Sequence, residues 1–139
     1  MPPRQPQTRP VSGAEAASYL DKAKEFELAM VDGYRAGRWN AAALAGIHAA
    51  ISGTDAVLGK LAGQRSAGED HAMVLEFLKA KLSSRVGKAS LDGQVRRLSR
   101  VLGIKNLVEY ESRSFARADC DGVVKDVSRY LDWVKSLFI

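Results

Sequence analysis

Apolar residues recur along most of this chain at intervals of three and four, the spacing that keeps one face of a helix turned inward. The clearest row is Leu91, Val95, Leu98 and Leu102, stepping by four, three and four. Continued by three and then four, it meets Lys105 and Glu109, with Asn106 and Tyr110 beside them. On one continuous helix these four polar groups share an arc of about 140°. A cation, an amide, a carboxylate and a phenol where packing should continue mark a candidate groove over residues 104–110.

The rest of the pattern predicts four more helices. Ser12 and Glu15 form a capping-box pattern ahead of Tyr19, Ala23, Phe26, Met30 and Tyr34, a first helix ending near Gly37. A second helix is expected over residues 40–63, with Ala43, Ile47, Ala50, Thr54, Val57 and Leu61 on one face. Its Ala41, Ala45, Gly46, Ala49 and Gly53 leave little bulk, so a neighbouring helix can approach closely. Residues 64–70 read as a polar turn, and Asp70 caps a shorter third helix carrying Val74, Phe77, Leu78 and Leu82. Ser90 caps the fourth, which contains the polar cluster and fades near Ser112. Asp119 or Asp121 starts the last, striped by Val123, Val127, Tyr130, Val134 and Leu137. No run alternates as a strand should. The expected fold is an all-α bundle of four to five helices.

Composition adds limits. At 139 residues, 46% of them apolar, the chain can bury one substantial core. All four prolines fall in the first ten residues, so 1–11 is expected to be a flexible tail and 12–139 the folded domain. That tail lacks the apolar centre of a secretory leader. The longest run free of Asp, Glu, Lys and Arg, residues 39–54, carries Asn40, His48, Ser52 and Thr54 and is too short to span a bilayer. Cys120 is the only cysteine, which excludes an internal disulfide. These features favour a cytoplasmic protein.

Charge is uneven. Residues 79–105 hold eight basic groups against Asp92, a net +7 in a chain of net +5, so the remainder carries −2. Such asymmetry fits a surface that faces a polyanion. Arg96, Arg97 and Arg100 are the candidate RNA-binding group, with Lys105 extending it, because guanidinium forks suit phosphate oxygens. Two other spacings bear on chemistry. His48 and Asp55, seven apart, share a helix face and could orient an imidazole for proton transfer. His71 follows Asp70 at a helix start, and Cys120 falls in line with Val123 and Val127 as a core residue. Two distant histidines give no support for a metal site, and no phosphate-cradling glycine loop is present.

The small-residue second helix over residues 41–61, the turn into Asp70-His71, and residues 105–133 together resemble the HEPN superfamily of small helical domains. The resemblance implies a prokaryotic defence or toxin-antitoxin setting, a homodimer, RNA or a nucleotide-bearing partner, and no cofactor. Nuclease members carry Arg, often followed by Asn, then His after four to six residues, and are understood to cut RNA without metal. The best-placed match is Lys105-Asn106-x-x-x-Tyr110. A phenol, with an ordinary pKa near 10 against about 6.5 for imidazole, is a poor general base at neutral pH. Lysine lacks the planar fork. The motif is therefore expected to hold an anion and to cleave weakly or not at all. A second match, Arg65 and His71 with five residues between, lies in the turn before the third helix. If that pair is active, the chain is a metal-independent endoribonuclease. A third reading is an adaptor for a nucleotidyltransferase, a partner that accompanies many HEPN proteins.

Overall fold

A computed structural model describes residues 7–68, 70–112 and 115–139. The periodic rows form as the pattern requires. Helix α1 (Gly13–Arg35) opens on a complete capping box: Ser12 Oγ accepts from the Glu15 amide at 3.1 Å, and Glu15 Oε1 accepts from the Ser12 amide at 3.0 Å. Helix α2 (Trp39–Ala62) stops at Gly63, whose φ of +66° turns the chain away at little cost to a residue without Cβ. Asp70 accepts from the Ala72 and Met73 amides and so caps α3 (His71–Leu82). Helices α4 (Lys88–Gly103), α5 (Lys105–Tyr110) and α6 (Arg117–Ser136) complete an all-α bundle.

Helix α2 is the hub, packed against each of the other five helices. Its small residues make this possible. A Cβ placed on Gly53 would come within 2.7 Å of Leu131 on α6, so the two backbones sit closer than ordinary side chains allow. By length and composition α2 could also cross a membrane, but 67% of its apolar window is buried inside the bundle. Its own Ile47 and Leu58, and Met30, Leu78, Leu98, Tyr130 and Val134 around it, are fully enclosed.

Several local expectations shift. Helix α4 begins at Lys88 behind Gly87, one turn earlier than a Ser90 cap implies. Neither Asp119 nor Asp121 starts α6: the helix begins at Arg117, and Asp119 reaches back to accept the Ala116 amide at 2.9 Å. The fourth helix does not run on to residue 112. At Ile104 the amide bonds to Val101, three residues back, and α5 restarts as a separate turn and a half.

The polar turn and the end of the tail hold a further element. Strand β1 (Thr8–Pro10) pairs antiparallel with β2 (Gln64–Ser66), Arg9 facing Arg65. Residues 8–11, expected in the flexible tail, are therefore joined to the fold, and Val11 is buried. A Cβ on Gly59 would lie 2.5 Å from Val11 Cγ1, which shows how tightly this residue is seated on α2. The earlier part of the expected tail, residues 1–6, lies outside the described residues.

A cationic cleft between helices α2, α3 and α4

One cleft of about 200 Å³ opens where the ribbon, α3 and α5 meet the hub helix. Ile51, Thr54 and Asp55 of α2 form its floor. Arg65 and Ser66 of β2, with Ala67 and Gly68 beyond it, line one side. His71 and Val74 of α3 and Leu98 and Leu102 of α4 close the other sides, and Lys105 stands at the start of α5. Apolar walls with two permanent cations, an imidazole and a carboxylate make a site for a polar ligand in a medium of reduced dielectric.

Asp55 is the one carboxylate in α2. Burial pushes its carboxyl up to about 6, and the nearby Arg65 charge only partly offsets this. Beneath it, Thr54 Oγ1 donates to the Ala50 carbonyl at 2.8 Å and lies 2.6 Å from the Tyr130 hydroxyl. Burial holds the Tyr130 phenol above its ordinary range, the Thr54 hydrogen bond opposes the shift, and the Asp55 charge adds to it. The arginine itself is steered from two directions. Its Nη1 donates to the Ser66 carbonyl at 3.3 Å, and its guanidinium carbon stands 5.9 Å from the centre of the Tyr19 ring.

The cleft unites Arg65, His71 and Lys105, which the sequence divides between two motifs. It does not unite Lys105 with Tyr110. Residues five apart on a helix point about 140° away from each other. Lys105 enters the cleft, while Asn106 is exposed and Tyr110 is 78% exposed outside it. The basic triplet is also elsewhere. Arg96 is exposed and Arg97 half-buried, and neither lines the cleft. Arg100 is engaged with Asp126 of α6 through two bonds of 3.0 and 2.9 Å, which occupy much of the fork it was expected to offer to phosphate.

His48 packs its ring against Phe26 at 5.5 Å between centroids and is not part of the cleft, so Asp55 answers to Arg65 rather than to His48. Cys120 is fully buried, and burial raises its thiol. Among the described residues no three His, Cys, Asp or Glu side chains converge to hold a metal ion. The residues that sequence reading missed are Asp55 in its cleft role and the Ser66–Gly68 edge. A lone acid interrupting an otherwise apolar helix was the available signal for the first.

No family model matches the chain, and no curated protein is significantly similar to it.

Proposed function

We propose that this chain is an RNA- or nucleotide-associated binding domain of the HEPN-like type, and that it receives phosphate in the cleft of Arg65, His71 and Lys105. The observation that carries the reading is the convergence of Arg65 and Lys105, forty residues apart, on one apolar-walled cleft. Two cations in such a setting attract an anion more strongly than the same charges spread over open surface. Asp55, ionised above about pH 6, offsets one of these two charges, so the cleft keeps a net positive charge at neutral pH and gains a further one as the carboxyl takes up its proton below pH 6. The test is fluorescence anisotropy with a labelled single-stranded oligoribonucleotide at 50 and 200 mM salt. Binding should fall steeply with salt, and Arg65→Gln with Lys105→Gln should lower both affinity and salt slope. Absence of binding at 50 mM salt rejects the reading.

A second reading, metal-independent RNA cleavage, is favoured by one observation: Arg65 and His71 line the same cleft. There an imidazole could take the proton of a ribose 2′-hydroxyl as that oxygen attacks the adjacent phosphorus. Arg65 and Lys105 would stabilise the charge that builds on the phosphoryl oxygens. A protonated Asp55 could supply the proton to the departing 5′-oxygen, leaving a 2′,3′-cyclic phosphate.

A further inference from the structure

We propose that Arg9 of the N-terminal strand is a second arginine of the anion site, gripping the same phosphate group as Arg65. The ladder carries the argument. The Ala67 amide donates to the Gln7 carbonyl and the Val11 amide to the Gly63 carbonyl, each at 2.9 Å. Bonded pairs alternate with unbonded ones in an antiparallel ribbon, so Arg9 and Arg65 form the bonded pair midway between these two. The missing amide hydrogen of Pro10 then falls at an unbonded position, where the ladder loses nothing.

Residues directly opposite in such a ladder project from the same face, with Cβ atoms about 5 Å apart. Arg65 lines the cleft, and Arg9, exposed and just outside that lining, starts from the same side of the ribbon. Two guanidinium groups so placed repel each other unless an anion lies between them. Among the described residues, Arg65 has the Asp55 and Glu15 charges nearby, while Arg9 makes no ion pair with any carboxylate. The strand is not loosely attached, because Val11, two residues on, is wedged against Gly59. A tetrahedral phosphate offers oxygens in more than one direction and can accept from both forks at once. Like-charge repulsion in the empty ribbon becomes shared attraction in the filled one. Phosphate binding and pairing of the N-terminal strand therefore reinforce each other.

This inference rests on the reading of the cleft as a phosphate site, and the experiment separates the two. The parent, Arg9→Ala and Arg65→Ala are compared with three probes: inorganic phosphate, adenosine 5′-monophosphate and a single-stranded oligoribonucleotide. Thermal midpoint shift is measured for all three, and anisotropy for the oligomer. Arg9→Ala should bind roughly tenfold more weakly, as expected for one lost charge-assisted contact, with a salt slope lower by about one for RNA. Its midpoint without ligand should equal or exceed that of the parent, since a repulsion has been removed. If Arg65→Ala weakens binding and Arg9→Ala matches the parent, the inference falls and the cleft reading stands. If the parent ignores RNA but responds to phosphate or the mononucleotide, and Arg9→Ala blunts that response, the inference stands and the RNA reading falls. A parent that responds to none of the three overturns both.

Discussion

The Tyr130 hydroxyl on α6 donates a hydrogen bond to Thr54 Oγ1 on α2 across 2.6 Å. The direction follows from counting: Thr54 has one hydroxyl hydrogen, and the Ala50 carbonyl takes it at 2.8 Å. The pair sits in the packed seam between the hub helix and the last helix, with Thr54 also part of the floor of the cleft.

That ordering predicts an asymmetry. Tyr130→Phe leaves Thr54 still bonded to Ala50, so its cost should be about 1 kcal/mol. Thr54→Val strands a fully buried phenol without an acceptor and should cost about 2 kcal/mol or more. The double variant should lose less than the two singles combined, because no unpaired polar group remains. Urea denaturation of the four proteins measures all three values, and strict additivity would count against the pairing.

Asp55 predicts a pH signature. Its folded pKa of about 6 lies above the ordinary aspartate value of 3.8, so folding favours the neutral acid. The acid contributes no penalty below about pH 4, and stability falls as pH rises from about 4 to 6, with the full penalty present above that. The distance between those two values corresponds to at most about 3 kcal/mol. Asp55→Asn, which cannot ionise, should therefore be more stable than the parent at pH 7 and close to it at pH 4. Denaturation midpoints of both proteins across that range supply the check; a gap independent of pH would mean that ionisation is not the cause. A stabilising substitution in the cleft would also mark Asp55 as a residue kept for function at the expense of stability.

Two glycines in helices should respond oppositely to alanine. At Gly59 the new Cβ meets Val11 Cγ1 at 2.5 Å and Ala16 Cβ at 3.1 Å, both stiff neighbours. Overpacking there should destabilise by about 1–3 kcal/mol, more than the gain in helix propensity returns. At Gly93 in α4 nothing lies within 4 Å, so alanine should stabilise by up to about 1 kcal/mol. Thermal melts followed by circular dichroism compare them, and equal effects would contradict the packing described for Val11.

Cleavage separates the two functional readings. Under the binding reading, the parent leaves an oligoribonucleotide intact in excess chelator. Under the catalytic reading, His71→Ala should lower cleavage a hundredfold or more, roughly, while Tyr110→Phe should leave it unchanged, because Tyr110 lies outside the cleft. Gel analysis of the end groups would show the cyclic phosphate. Loss of cleavage with Tyr110→Phe alone would place the chemistry on α5 instead.

The helices were legible because each apolar row repeats over several turns, and because Ser12 and Asp70 cap with side chains whose role is local. Helix starts that use no side-chain cap, such as that of α4 at Lys88, leave no such mark. The break at Ile104 was hidden for a related reason: the spacing of three and four can be carried on through it to Lys105 and Glu109, so periodicity alone extends the helix. Three-residue strands with a proline carry almost no alternation, and pairing between residues 8 and 66 is a long-range event that no window contains. The cleft was half visible. Arg65, His71 and Lys105 were each identifiable by type, but only the β2 turn and the restart of α5 bring them together.

The restart of α5 gives the cleft two sides of unequal permanence. No residue of α5 is completely buried, whereas α2 is enclosed along most of its length. Backbone amides of α5 should therefore exchange with solvent deuterium through local opening, at free energies far below global unfolding, while those near Asp55 wait for the whole molecule. On this expectation Lys105 rides on the more readily opened of the two segments, opposite a carboxylate carried by the enclosed hub helix. A ligand contacting both would draw its affinity from ordering the first against the second, and slowed exchange along residues 105–110 would report its arrival.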